Sequence, residues 1–226
     1  MVTRQGVIKK TLLSEYEYQR KGGKIAINLD EGDELLFVTK TDGEKQLIIA
    51  TRHGSAVKFD EGEVRAMGRV SRGVRGIRLK EDDYVIGVVG VEEGSKLLTI
   101  TENGYGKRTD FDDFRLMKNR GGGGVTCHNL TEKTGLLAGI ISVSDDDDVM
   151  MITDSGIIIR TPVEGISTYS RTASGVIVMR LEKGQKLVNI TRVAKEEEEE
   201  ENSETLKDGG EGTETVKAVE ETESTT

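Results

Sequence analysis

The stretch KLLTITENGYGKRT at 96–109 holds two short runs rich in β-branched and apolar residues, KLLTIT and YGKRT, separated by a segment containing Asn103 and Gly104. Runs of this length bounded by a turn dipeptide read as two antiparallel strands, and Asn-Gly tolerates the positive φ of a tight two-residue connection. Working outward, the hairpin recurs three more times, with turns at Gln5 and Gly6, His53 and Gly54, and Ser155 and Gly156. Only the glycine is common to all four, so glycine is what the turn geometry needs.

Two anchors mark the repeat. Each turn glycine is followed four residues later by a basic side chain: Gly6 by Lys10, Gly54 by Lys58, Gly104 by Arg108 and Gly156 by Arg160. A second glycine is followed six residues later by leucine, as Gly23 with Leu29, Gly73 with Leu79, Gly124 with Leu130 and Gly175 with Leu181. The period is about fifty residues, with four strand segments per unit. In the second full unit these are GIRL near Ile77, VIGVVGV at 85–91, KLLTIT at 96–101 and YGKRT at 105–109. VIGVVGV is apolar on both faces and is predicted to be central; YGKRT alternates and is predicted to be an outer strand whose basic residues face water. A lone four-stranded sheet cannot cover two apolar faces, so the units should stack as propeller-like blades. A helical solenoid lacks support, because no 3.6-residue period is sustained and the glycines would break its helices.

Composition agrees with an all-β chain: 28 glycines, one proline and 4% aromatic residues imply many turns around a core of Val, Ile and Leu. The net charge of -9 divides at Lys195, with +1 over residues 1–194 and -10 over 195–226. The expected organisation is a repeat domain over 1–193 and a disordered acidic tail over 194–226, which either solubilises the chain or folds back to compete for the basic rim. One cysteine, Cys127, excludes an internal disulfide, and no CxxC or His-rich spacing offers a structural metal site. That usage fits a reducing cytoplasm. The opening MVTRQGVIKK has no signal-peptide stretch, and no run of about 18 apolar residues could span a bilayer, so no membrane partner is expected.

Between its anchors each repeat carries a loop of glycine and basic residues: QRKGGK at 19–24, RVSRGVRG at 69–76, KNRGGGG at 118–124 and SRTASG at 170–175. Glycine lets backbone N–H groups approach a phosphate and the neighbouring Arg or Lys adds charge-assisted hydrogen bonds, chemistry suited to a nucleic-acid backbone. A single such loop is equally an ordinary exposed turn. Four at one phase of a blade would form a continuous charged rim. The candidate phosphate contacts are Lys10, Arg20, Lys21, Lys24, Lys58, Arg69, Arg72, Arg75, Lys107, Arg108, Lys118, Arg120, Arg160 and Arg171. No base-reading element accompanies them, so binding should not depend on sequence. A protein-interaction propeller that receives acidic partners on the same rim is the alternative from another class.

Through EGEVRAMGR at 61–69, GVRGIRL at 73–79, ENGYGKRT at 102–109 and MMITDSG at 150–156, the chain resembles the C-terminal domain of the DNA gyrase A subunit over residues 1 to about 193. The resemblance implies a β-pinwheel of about four four-stranded blades that exchange strands, with double-stranded DNA bent around the basic rim. It further implies that wrapping presents a positively crossed segment for strand passage, so that ATP hydrolysis introduces negative supercoils. The family's QRRGGKG box is similar to Gln19–Ile25, where Lys21 keeps the charge and Ile25 replaces a glycine. The family's cleavage tyrosine and winged helix have no counterpart here, so the chain reads as a fragment lacking the catalytic region and one or two blades. No catalytic residue or cofactor is expected in it; the resemblance places ATP, Mg²⁺ and the gyrase B subunit elsewhere in a bacterial, nucleoid-associated holoenzyme. The topoisomerase IV counterpart is a close alternative. Tyr16 reads as a packing residue, His53 and His128 as structural, and the aspartates at 145–148 as a solvated turn, since they lack the glycine and distal Glu of a Ca²⁺ loop.

Overall fold

A computed structural model describes residues 1–18 and 21–195. Arg20 and the acidic tail beyond Lys195 lie outside the described residues. In chain order the strands are β1 Val2–Thr3, β2 Val7–Ile8, β3 Leu35–Phe37, β4 Gln46–Thr51, β5 Ser55–Asp60, β6 Val74–Arg75, β7 Val85–Gly90, β8 Lys96–Thr101, β9 Tyr105–Asp110, β10 Val125–Thr126, β11 Leu137–Val143, β12 Asp147–Thr153, β13 Ile158–Pro162, β14 Val176–Ile177 and β15 Leu187–Ala194. Short 3-10 turns follow the hairpins, at Leu13–Tyr16, Glu61–Glu63, Phe111–Asp113 and Val163–Gly165.

These strands form four small antiparallel sheets, and each hairpin is the centre of one: β3-β1-β2-β6, β7-β4-β5-β10, β11-β8-β9-β14 and β15-β12-β13. The fourth is three-stranded among the described residues. Of the four segments read as one unit in the sequence, GIRL at 76–79 forms no strand, the strand lying just before it at β6, and the unit is spread over three sheets: β6 completes the first, β7 the second, and β8 with β9 begins the third. After each of the last three hairpins the chain leaves for the outer edge of the preceding sheet, donates a two-residue strand there, and returns to pair with the inner edge of its own hairpin.

This path corrects two readings of the strands. VIGVVGV is not central: β7 is an inner edge strand, and residues of β7, β11 and β15 with Phe37 of β3 surround a cavity of about 380 Å³. Its glycine is a packing device, because a Cβ at Gly87 would run into Ile140 of β11. The strands apolar on both faces are β4 and β8, the hairpin strands that face a neighbouring sheet on either side. Leu47 and Ile49 enter the core shared with Val2, Ile8, Val57 and Phe59, whereas Ile48 and Ala50 enter the next, with Leu97, Phe111, Phe114 and Leu137. Leu98 and Ile100 then face the third core, with Val149, Met151, Val163 and Ile166. The period of two along one strand thus feeds two cores. Nor is YGKRT a strand with one wet face: β9 lies between β8 and β14, and Gly106, Lys107, Arg108 and Thr109 are all buried.

The hairpin turn also differs from the expected two-residue form. Three residues, 102–104, connect β8 to β9, with the Gly104 N–H donating to the Thr101 carbonyl at 3.0 Å and φ of +79° at the glycine. This is a turn closed by a left-handed residue, one of the common three-residue solutions. A threonine three residues before the glycine recurs in all four hairpins, and its Oγ1 accepts the N–H of the residue after the glycine: Thr3 from Val7, Thr51 from Ser55, Thr101 from Tyr105 and Thr153 from Ile157, at 3.1 to 3.3 Å. Thr101 is fully buried, so Thr101→Val leaves the Tyr105 N–H without its partner and should lower stability by about 1–2 kcal/mol in urea unfolding, with the sheet content unchanged by circular dichroism.

Candidate nucleic-acid interface

Several of the basic side chains marked by the repeat are turned inward. Lys58 and Arg108 on the second hairpin strand of one sheet, and Lys10 two residues beyond β2, reach the 3-10 turn of the next sheet or the residue just after it. Lys10 Nζ donates to the Glu61 carbonyl at 2.9 Å and Lys58 Nζ to that of Phe111 at 3.0 Å. Arg108 Nε donates to the Ile166 carbonyl at 2.5 Å, and its Nη1 meets the Asp145 carboxylate. The backbone repeats the connection, since Met67, Met117 and Tyr169 donate their N–H groups to the carbonyls of the same three residues. These cations are latches between sheets. Arg160 on β13 instead pairs with Asp148 at 2.7 Å and donates to the Ala194 carbonyl. The placement of Lys58, Lys107 and Arg108 on an exposed rim is therefore corrected: burial without compensation would cost each charge several kcal/mol, and the carbonyls of the adjoining sheet supply that compensation. Lys58→Met removes the charged donor and leaves the Phe111 carbonyl with the Phe114 N–H alone, with an expected loss of about 1–3 kcal/mol by chemical denaturation.

Lys9 and Lys107 clamp the basic loops from beneath. Lys9 Nζ donates to the carbonyls of Ala26 and Arg69, and Lys107 Nζ to those of Ser170 and Arg171. Burial holds the Lys107 ammonium pKa down at about 8, with repulsion from Arg171 adding to it. Beside it, burial pushes the Cys127 thiol up to about 12, which leaves it an inert packing residue. His128 is buried with Nδ1 against Thr99 Oγ1 at 2.9 Å and Nε2 against the Ser174 carbonyl at 3.1 Å. Burial first, and then the Lys107 charge, lower its pKa from 6.5 to about 4. The unfolded chain therefore takes up a proton at this residue between pH 6.5 and about 4 while the folded chain does not, so stability falls as pH falls through that window. Melting temperature measured across it should drop more steeply for the wild type than for His128→Gln.

The outer edge of the sheets forms the surface itself. In three of the four loops one arginine stitches the loop to the segment that precedes it by one repeat: Arg69 Nη1 donates to the Ile25 carbonyl at 3.2 Å, Arg120 Nη1 to that of Arg75 at 2.8 Å and Arg171 Nη1 to that of Thr126 at 2.7 Å. Backbone bonds run alongside, from Asn28 to Ser71, from Arg78 to Gly122 and from Asn129 to Ala173. The loops are thereby joined in series into one band. The described residues of segments 18–29, 64–79, 114–130 and 165–181 make up this band, and the sequence of these segments contains no Asp or Glu. The candidates Lys21, Arg75 and Lys118 are exposed on it and carry no side-chain partner among the described residues. Arg72 pairs with Asp30 at 2.7 Å yet stays 67% exposed, and Lys24 donates to the Glu15 carbonyl at 3.1 Å beside the Tyr18 ring.

Four arginines on this band lie outside the positions that the sequence reading marked. Arg65 and Arg115 each lie eleven residues after a turn glycine, and Arg78 and Arg180 each lie five after a second-anchor glycine. All four are exposed without a side-chain partner among the described residues. Their phase in the repeat is the available signal, and a reading centred on the glycine-flanked loops passes over it. The aspartates at 145–148 are less solvated than expected, because Asp145 pairs with Arg108, Asp147 accepts from Ser144 N–H and Oγ, and Asp148 is buried against Arg160. Tyr16 is half-buried with its hydroxyl at 3.5 Å from the Ala26 carbonyl, and the His53 N–H donates to Asp83. Among the described residues, no group of three or more His, Cys, Asp or Glu is placed to hold a metal ion, and no helix is long and apolar enough to cross a membrane.

Known proteins share both the repeat and the sheets. The family model described as DNA gyrase C-terminal domain, beta-propeller, matches residues 1–42, 45–92, 95–144 and 147–194, one match for each hairpin. The DNA gyrase A subunit of Staphylococcus epidermidis (strain ATCC 12228 / FDA PCI 1200) is 42% identical over 197 residues, covering 86% of this chain and 22% of the relative. That of Escherichia coli (strain K12) is 43% identical over 195 residues, with the same coverage. The chain thus spans about a fifth of the length of these curated relatives. Of solved structures, the C-terminal domain of DNA topoisomerase IV superposes with a TM-score of 0.80 at 29% identity, over 85% of this chain and 60% of that one. The DNA gyrase A C-terminal domain superposes with a TM-score of 0.73 at 30% identity, over 84% and 64%. With each of its four hairpin units matched in turn and its sheets built in the same way, the chain belongs to the DNA gyrase C-terminal, beta-propeller family.

Proposed function

We propose that the outer band binds double-stranded DNA through its phosphates, without reading sequence, and that the duplex bends to follow it. The observation that carries this reading is the acid-free band stitched across successive sheets, on which Arg65, Arg75, Arg78, Arg115, Lys118 and Arg180 have no side-chain partner among the described residues. Unpaired cations in a row with no intervening carboxylate attract a polyanion, and their spread over successive sheets favours a long partner over a point ligand. Arg69, Arg120 and Arg171 keep further N–H groups for phosphate after binding their carbonyls, whereas Lys58, Lys107 and Arg108 act by holding the sheets and loops in place. In this reading the chain is the DNA-wrapping part of a bacterial, cytoplasmic gyrase. ATP hydrolysis, Mg²⁺ binding and contact with a B subunit belong to other parts of that enzyme. A topoisomerase IV origin is the second reading, supported by the TM-score of 0.80 to that domain.

Titrating a duplex at several salt concentrations tests the proposal. If about 6–8 phosphates are neutralised, log K against log salt should have a slope of roughly -5 to -7, and Arg75→Ala or Arg115→Ala should each reduce it by about 0.9 whatever the duplex sequence. Energy transfer between dyes at the duplex ends should rise on binding. A slope near zero, or a bound duplex that stays straight, would overturn the reading. Relaxing closed circles with topoisomerase in the presence of the chain separates the two family readings by the sign and size of the trapped wrap.

A further inference from the structure

Charge in the repeat domain is sorted by place. The four band segments carry 13 basic side chains and no acidic one, whereas the rest of residues 1–194 carries 16 basic and 28 acidic, a net of -12. Each band segment is bounded on either side by a carboxylate within two residues. The fold carries that order into space. From Ala66 to Gly76 the chain runs beside β2 of the sheet before: Ala66 bridges to Lys10, Val74 lies opposite Ile8, and the Gly76 N–H donates to the Gly6 carbonyl. The spans from Leu116 to Cys127 and from Thr168 to Val178 run beside β5 and β9 in the same way.

Each of these spans therefore begins at one end of the sheets and finishes at the other. It starts from a 3-10 turn, and Glu63, Asp112 and Glu164 stand in those turns. It finishes in a turn held against the next hairpin: Asp83 accepts the His53 N–H at 3.0 Å, Asn103 Nδ2 donates to the Lys133 carbonyl at 3.0 Å, and Gln185 Nε2 donates to Ser155 Oγ at 2.9 Å. Glu81, Asp82, Glu132 and Glu182 stand in these turns. All seven carboxylates are exposed, and none has a side-chain hydrogen bond or ion pair among the described residues. Between the two acidic margins β5 and β9 are each six residues long, about 20 Å, which is the width of one duplex.

We infer that these carboxylates are rails: they repel phosphate on both sides of the band and hold the duplex to one path across successive sheets. The inference rests on the DNA reading of the band and adds what fixes the direction of the wrap. Unpaired cations alone accept a duplex at many angles, because phosphate contact reads neither sequence nor a preferred course. Like charge beyond each edge removes the oblique courses, since a phosphate that strays off the band comes within a screening length, about 8 Å, of a carboxylate. The rails thus weaken binding and sharpen its geometry, and the two effects can be read separately.

Neutral isosteres in the full chain test this, with duplex titration and relaxation of closed circles as paired readings. One set is Glu81→Gln, Asp82→Asn, Glu132→Gln and Glu182→Gln; the other is Glu63→Gln, Asp112→Asn and Glu164→Gln. Either set should tighten duplex binding by about three- to tenfold at low salt, with the gain vanishing at high salt, while the linking change trapped per bound chain falls. Melting temperature should not drop, because these side chains hold no partner among the described residues. Glu44→Gln, Glu93→Gln and Asp146→Asn remove as many charges as the second set at the same end of the sheets, in the turns that precede β4, β8 and β12, away from the outer edge. This inner set should leave the wrap as in the wild type. Rail variants that bind and wrap like the wild type, that gain affinity and wrap together, or that the inner set matches, would overturn the inference while DNA binding stands. A wild-type chain that binds no duplex would strike the DNA reading, and the rails with it.

Discussion

A hairpin that is apolar on both faces and unpaired at both edges cannot stand alone in water, and the rest of this structure follows from that constraint. β4 with β5 and β8 with β9 each lie between two other sheets, and each needs a strand on either side. The inner edge is filled by the strand that follows in the same repeat, the outer edge by two residues donated from the next. Apolar burial sets the stacking, and backbone pairing ties each sheet to sequence beyond it, so neither the faces nor the edges are satisfied by one repeat.

Charge is divided by the same geometry. A cation on the second hairpin strand finds itself in the joint, where water is excluded and the carbonyls of the following turn are the available partners; Lys58 and Arg108 become fasteners there. A cation on the band that crosses from sheet to sheet meets solvent on one side and backbone on the other. Arg120 divides its donors between the Glu63 and Arg75 carbonyls and remains partly exposed, while Lys118, two residues away, has no partner among the described residues. Buried Lys9 and Lys107 draw loop carbonyls inward, which fixes the loops from which the exposed arginines project.

How much of this is legible in the sequence depends on the range of each interaction. The hairpins are legible because strand runs, turn glycines and their spacing are local, and the fifty-residue period is plain from the two glycine anchors. Sheet membership is not. β6 pairs with β2 across 67 residues, and nothing in the segment GVRGIRL says which hairpin will receive it. The same gap misplaces VIGVVGV, since an inner edge strand against a neighbouring strand and a central strand both read as continuous apolar runs. The basic rim is legible as a band and misleading residue by residue: Lys107 and Lys118 look alike in composition, and only their places relative to β14 and the outer edge separate a clamp from a surface charge. The threonine before each turn, Arg65 and Arg115 all recur at fixed phase, yet none stands beside the glycines that make the repeat visible.

The donated strand also bears on how the chain acquires its structure. When β5 leaves the ribosome its outer partner, β10, is still 65 residues from being made, so the hairpin must wait with one edge unsatisfied. Ordinary solenoid repeats can fold nearly one by one, their stabilities adding along the chain. Here each unit holds its predecessor's missing piece, so order is expected to trail synthesis by more than a full repeat and unfolding to spread across neighbours. Interleaving of this kind trades early local folding for a domain in which no single sheet can peel away without undoing the next.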